Sequence, residues 1–230
     1  MTNKMKVLNS IICTTLLLLI SMNHVNAQKD WADLARYGQA NKDLPEPLKG
    51  DKRVIFMGNS ITDAWPADFF ENRPYFNRGI SGQTTPQMLL RFRADVINLK
   101  PKVVVILAGV NDIAGNTGPS TLEMITDNIA SMCELAAANH IKVILCSVLP
   151  ANNFPWSPGI QPADIIIELN RRYKEYADKN GHIYLDYYSS MVDAEKGLKA
   201  EYATDAVHPN EEGYKVMGPL VEKAIKKALK

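Results

Sequence analysis

An apolar run stops at a serine. The stretch VIFMGNSITDAW, Val54 to Trp65, carries four apolar residues straight into Gly58, Asn59 and Ser60. A run of this kind reads as a buried strand, and Gly58 ends it in a turn. Two roles are open to Ser60. It is a preferred helix N-cap. It is also a nucleophile if a base can take its proton, because a free hydroxyl attacks poorly at neutral pH. Far along the chain, DAVHPNEEGY places Asp205 three residues before His208. In a tight loop such a carboxylate can hold the ring nitrogen turned away from the serine, set the tautomer and stabilise the imidazolium. A loop acid and a helix-entry histidine would look the same. Acyl transfer also needs donors aimed at a developing oxyanion. Asn111, in VVVILAGVND, can offer a side-chain amide, and Gly82, in YFNRGISGQTT, an unshielded backbone N–H. Each has a plain alternative: a helix cap for Asn111, and a turn at positive φ for Gly82.

Whether these groups can meet depends on the elements that carry them. A short helix is expected over residues 30–40, followed by a polar, Pro-containing connection into a strand at 53–57. Apolar strands and periodic helices then alternate. PQMLLRFRADVINL reads as a helix, with Pro86 suited to its first turn. KVVVILAG is a strand, and TLEMITDNIASMCELAAAN a helix with Leu122, Ile125, Ile129, Met132 and Ala136 along one face. IKVILCSV is a strand, PADIIIELNRRYKEYADKN a helix, HIYLD a strand, and EEGYKVMGPLVEKAIKKAL a closing helix with a bend expected at Pro219. Continuously apolar strands between helices imply a parallel sheet covered on both faces. The expected fold is α/β: a three-layer α/β/α sandwich on a flavodoxin-like parallel sheet of about five strands, with sites at the carboxyl ends of the strands.

That edge rule selects the histidine. His140 precedes one strand and His182 opens another, so both lie at amino ends. Ser60 follows a strand and lies at the carboxyl edge, roughly 15 Å away across a five-residue strand. His24 falls in the N-terminal leader described below. His208 follows the last strand, on the Ser60 side.

Taken in order, GNSIT, GISGQTT, GVND and DAVHP resemble the four sequence blocks of the SGNH hydrolases, also called the GDSL esterase/lipase family. The resemblance covers nearly all of the chain after residue 27. It implies Ser60 as nucleophile, His208 as base and Asp205 as its orienter. It also implies an oxyanion hole from the Ser60 and Gly82 backbone N–H groups and the Asn111 side chain, the flavodoxin-like sandwich, and no cofactor. The sequence departs from the family's name at Asn59, where an Asp is implied. Asn is isosteric and keeps local hydrogen bonding, so the loop geometry is expected to survive without the charge.

The expected substrate is a small acyl ester or an acetylated glycan. The connection LPANNFPWSPGIQP, Leu149 to Pro162, leaves a strand at the same edge and carries Phe154 and Trp156 among prolines. Aromatic rings there could stack on a sugar, pack on an acyl chain, or simply fill the loop. No long apolar flap suits a lipase, and export with short polar site loops favours short acyl groups, acetyl above all. Lysophospholipase and short-chain arylesterase activities are the alternatives within the family. A non-catalytic carbohydrate-binding module is the alternative outside it, opposed by the complete set of Ser, His and Asp. Scattered histidines without paired-ligand spacing argue against a metal.

Composition sets the remaining bounds. The chain has 230 residues, 46% of them hydrophobic, with 26 basic against 25 acidic side chains. That is enough for one core, and it gives no sign of a nucleic-acid partner. Residues 1–27 read as a secretory signal peptide: Lys4 and Lys6, then IICTTLLLLI, then a small-residue site ending at Ala27. Its apolar core is short for a membrane span, and a retained membrane anchor is the alternative to cleavage. Cys13 follows Ile12, unlike a lipoprotein cysteine. Residues 28–230 then form a single exported hydrolase domain, periplasmic or extracellular, with no membrane span in the mature chain. Cys133 and Cys146 could pair in that setting, but each also fits as a small buried residue, the reading favoured here. Oligomeric state is not legible.

Overall fold

The computed structural model describes residues 30–230. The expected signal peptide lies outside the described residues. Strands β1 (Val54–Gly58), β2 (Tyr75–Gly79), β3 (Val103–Leu107), β4 (Lys142–Cys146) and β5 (Ile183–Leu185) pair in the order β2-β1-β3-β4-β5. Every pairing is parallel. This is the flavodoxin-like order, with its switch point between β1 and β3.

The strands are buried on both faces, which is why they read as unbroken apolar runs. Their side chains still alternate. Ile55, Met57, Val104, Ile106, Val143 and Leu145 join a core with helices α3 (Thr85–Asp95), α5 (Leu122–Ala138) and α6 (Ala163–Asn180). Val54, Phe56, Val103, Val105, Ile144 and Cys146 face the other way, onto helix α8 (Glu211–Ala228) and the aromatic group around Trp65. Three layers result. Each buried Val, Leu or Ile adds roughly 1.5–3 kcal/mol, so each core needs both of its walls.

Short helices complete the frame: α1 (Gly38–Asp43), α2 (Ser60–Asp63), α4 (Val110–Ile113) and α7 (Tyr188–Met191). The helix expected over 30–40 is replaced by turns over 34–37 and the later α1. The cause is capture of the backbone by the main domain. Gln83 Nε2 donates to the Ala32 carbonyl at 2.7 Å, removing it as a helical acceptor, and Asp33 takes φ 54°. Helix α8 continues through Pro219, which has no N–H to donate to the carbonyl one turn back, that of Lys215. Cys133 and Cys146 are both buried and free, and burial pushes the Cys133 thiol up to about 12.

Register places the site. Gly58 pairs with Gly79 on one side and with Leu107 on the other. The chain therefore leaves β1, β2 and β3 at one level, and the loops carrying Ser60, Gly82 and Asn111 start side by side.

Candidate active site

Helix α2 starts immediately after β1, and its cap is Asn59, not Ser60. The Asn59 side-chain oxygen accepts from the Ile61 N–H at 3.1 Å. The capping role open to Ser60 is thus filled by its neighbour, and the Ser60 hydroxyl is released. The short helix lies against β2 so closely that a Cβ on Gly79 would meet the Asp63 nitrogen at 2.2 Å. Asp63 Oδ2 then accepts from the Ser81 hydroxyl at 2.7 Å, tying the Ser60 turn to the Gly82 loop.

Ser60 Oγ lies 2.9 Å from His208 Nε2, and His208 Nδ1 lies 2.8 Å from Asp205 Oδ2. The other Asp205 oxygen accepts from the backbone N–H groups of Val207 at 2.7 Å and His208 at 2.8 Å. Partial burial raises the Asp205 carboxyl. The two amides and the His208 ring outweigh it and hold the group below the ordinary carboxylate value. An ionised carboxylate only accepts, so the proton sits on Nδ1 and Nε2 presents a lone pair to the Ser60 hydroxyl. The loop is stapled: Thr204 N donates to the His208 carbonyl at 2.8 Å, and Asn210 caps α8. His140 and His182 border one cavity at the amino edge, beside Lys142 and Lys230, far from Ser60 in the sheet.

Three donors face the same edge. Among the described residues, the backbone N–H groups of Ser60 and Gly82 have no acceptor. Gly82 takes φ 79°, and no atom lies within 4 Å of where its Cβ would be. Asn111 is buried and spends one amide hydrogen on the Gln83 carbonyl at 2.9 Å, leaving the second. Asp112 holds the Asn111 segment in place. Its carboxylate accepts from the Thr85 N–H at 3.0 Å and the Thr85 hydroxyl at 2.5 Å, at the N-terminus of α3. Burial pushes the Asp112 carboxyl up to about 6, against the opposing pull of the Thr85 contacts.

The aromatic pair separates. Phe154 is 2% exposed, so of the roles open to it stacking on a sugar is excluded and filling the loop remains. It packs instead beneath Trp156, with ring centroids 5.3 Å apart and stacked. Trp156 is 43% exposed and its ring lies 6.2 Å from that of His208. Its indole N–H donates to Asn116 Oδ1 at 3.1 Å, and Asn116 donates to the Gly82 carbonyl at 3.2 Å. Sequence reasoning missed Asp112 and Asn116. Asp112 adjoins Asn111 in GVND and could have been found there, whereas nothing in sequence marks Asn116.

Among the described residues no group of three His, Cys, Asp or Glu side chains could hold a metal ion, and no helix is long and apolar enough to cross a membrane. The arrangement can move a proton from a hydroxyl to an imidazole beside a set of unpaired N–H donors. Sheet order defines the class of fold, a flavodoxin-like α/β/α sandwich, and Ser60, His208 and Asp205 meet at the switch point of its sheet. The model of the GDSL-like lipase/acylhydrolase family matches residues 56–216. A GDSL-like lipase of Bacteroides thetaiotaomicron of known structure is 51% identical and superposes with a TM-score of 0.84, over 86% of this chain and 98% of its own. A Bacteroides fragilis protein of known structure is 53% identical, with a TM-score of 0.87 over 88% of this chain and 100% of its own. An acetylxylan esterase of Xylanibacter ruminicola is 28% identical over 80% of this chain. The chain spans 45% of that relative's length. The chain belongs to the GDSL-like lipase/acylhydrolase family, a family of carboxylic ester hydrolases.

Proposed function

We propose that this protein is an exported serine esterase that removes short acyl groups, acetyl above all, from carbohydrates. The hydrogen-bonded line from Ser60 through His208 to Asp205, at 2.9 and 2.8 Å, carries the reading. Ser60 Oγ attacks the ester carbonyl as His208 Nε2 takes its proton. The carbonyl oxygen becomes an oxyanion held by the Ser60 and Gly82 N–H groups and the Asn111 amide. The intermediate collapses, the bond to the alcohol breaks, and His208 returns the proton to the leaving oxygen. Water, deprotonated by His208, then attacks the acyl-serine; the bond to Ser60 Oγ breaks, His208 returns the proton to that oxygen, and the acid is released. Asp205 keeps Nδ1 protonated and stabilises the imidazolium in both halves.

The substrate class is supported by the site's surroundings and by the acetylxylan esterase relative. The segments carrying Ser60, Gly82 and Asn111 pass from strand to helix within a few residues, and one exposed ring, Trp156, stands beside His208. An acyl pocket lined with hydrocarbon would gain roughly 0.8 kcal/mol per buried methylene. Without one, kcat/KM on p-nitrophenyl esters should peak at acetate or butyrate, and acetate should be released from acetylated xylan. A rate still rising at eight acyl carbons would replace this reading with a lysophospholipase. Labelling by a fluorophosphonate tests the nucleophile. It should be lost in Ser60→Ala and His208→Ala and kept in His140→Ala and His182→Ala, whereas an unlabelled native protein would leave only a binding module. Export rests on the pattern of residues 1–27. It is tested by N-terminal sequencing of the protein recovered outside the cytoplasm, which should begin at Gln28.

A further inference from the structure

Behind the site lies a cation with no exposure at all. Arg91, on α3, is 0% exposed. Its Nη1 donates to Asp95 Oδ2 at 2.8 Å, an ion pair inside the protein. The rest of its fork reaches toward the sheet edge. Nη2 donates to the Gly58 carbonyl at 3.1 Å, and Nε donates to Gln83 Oε1 at 2.5 Å. Gly58 is the last residue of β1, two before Ser60. Gln83 directly follows Gly82, and its own carbonyl takes the Asn111 amide at 2.9 Å. One planar guanidinium therefore bonds to the peptide ahead of Ser60 and to the residue after Gly82. Through Gln83 it reaches the third donor as well.

We propose that Arg91 is a positioning residue that sets the three donors of the oxyanion hole against one another, with Gln83 as its link to Gly82 and Asn111. This rests on the esterase reading above. Several features support positioning over simple charge. Asp95 lies against the guanidinium and also accepts from Asn41 Nδ2 at 2.6 Å, so the cation is balanced where it sits. The three contacts run in different directions, as the rigid guanidinium fork permits and a lysine ammonium on a flexible stem does not. The elements joined are otherwise separate in sequence: the β1 tip, the loop after β2, and, through Asn111, the loop after β3. Donors for an oxyanion must be held before the charge forms, and a misplacement of about 1 Å can cost on the order of a hundredfold in rate.

The test uses Arg91→Lys, which keeps a cation beside Asp95 and loses the fork. Gln83→Met is the second variant, leaving the Arg91–Asp95 pair whole and cutting the link to the Gly82 loop. Active sites are counted by fluorophosphonate titration, and kcat per titrated site and KM are measured on p-nitrophenyl acetate. Inhibition by a simple arylboronic acid, whose tetrahedral serine adduct places an oxygen in the hole, is measured beside it. Both variants should lose about tenfold to a hundredfold in kcat per site with KM changed less than about threefold. Boronate affinity should fall in step with kcat/KM. A merely structural role would lower the melting temperature and the titrated fraction, leaving kcat per site and boronate affinity unchanged, and that result would overturn the proposal. If Arg91→Lys does not fold, Gln83→Met decides alone by the same two readouts. A native protein that fluorophosphonate does not label overturns the esterase reading and this proposal with it. A labelled native protein with unaltered variants overturns this proposal only.

Discussion

Replacing Asp205 by Asn changes one atom and should nearly silence the site. Asn can keep its oxygen toward the Val207 and His208 backbone N–H groups, which now hold Asp205 Oδ1 at 2.7 and 2.8 Å. Its amide nitrogen then faces His208 Nδ1. Two N–H donors cannot share that contact, so the ring takes the other tautomer, and Nε2 carries the proton toward Ser60. The base is lost although every atom remains in place. Two effects add. The imidazolium that forms during attack loses its carboxylate, a charge pair worth about 4 kcal/mol at 4 Å and an effective dielectric constant of 20. The Asp205 side chain is 43% exposed, so water screens part of this, and about 2–3 kcal/mol is retained. The wrong tautomer adds about 1 kcal/mol, the net worth of one hydrogen bond. The total, about 3–4 kcal/mol, corresponds to a loss of about 10²–10³ in kcat. The assay is p-nitrophenyl acetate hydrolysis from pH 6 to 9, with melting temperature followed by circular dichroism. The variant should melt close to the native protein, and raising the pH should not restore it, since a tautomer and not an ionisation is at fault. A loss under fivefold, or recovery at high pH, would refute the role assigned to Asp205.

Asn111→Ala should lower kcat by about 10²–10³ with little change in KM, because the amide contact strengthens only as the oxyanion forms. An unchanged kcat with a raised KM would place Asn111 in ordinary substrate binding. Trp156→Ala should slow acetate release from acetylated xylan more than hydrolysis of p-nitrophenyl acetate, and Trp156→Phe should fall between, keeping a ring but losing the Asn116 contact; equal losses on both substrates would remove the stacking role. Asp112 binds its proton more tightly folded than unfolded, since burial pushes its carboxyl up to about 6. Its contribution is therefore fully present below about pH 4 and lost as pH rises through 6, by up to about 3 kcal/mol. Asp112→Asn should remove that fall from the difference between native and variant urea midpoints taken at pH 4, 5, 6 and 7; parallel curves would refute it.

How much of this was legible in the sequence depends on whether one residue's surroundings lie in its own segment. The strands were legible because burial on both faces leaves no polar position to interrupt Val54–Met57 or Val103–Leu107. The histidine was legible because a parallel sheet has two edges, and chain order alone says which edge each loop leaves. The length of a five-residue strand, roughly 15 Å, was enough to set His140 and His182 apart from Ser60. The cap was not legible. Asn59 and Ser60 are both good caps, adjacent, and sequence alone does not say at which of them the helix begins. Phe154 and Trp156 were alike in a Pro-rich loop, but Phe154 joined the core beneath α3, α5 and α6 and became the floor for the other.

Arg91 was the least legible. In PQMLLRFRADVINL it reads as a charge on the wet side of an amphipathic helix, next to Arg93 two residues on, which is exposed. A buried arginine is tolerable only where its charge is paired and its remaining N–H groups find acceptors. Those acceptors are Asp95 on the same helix, the Gly58 carbonyl on β1 and the Gln83 amide on the loop after β2. Only the first lies at a spacing that sequence can read. The other two come from sheet pairing, so the inward turn of Arg91 is a consequence of the fold and not a cause of it. The residues to which the proposal assigns the chemistry sit at strand ends, where order betrays them. The residue that holds them together sits one layer back, where three segments must already be in place before its side chain has anything to bind.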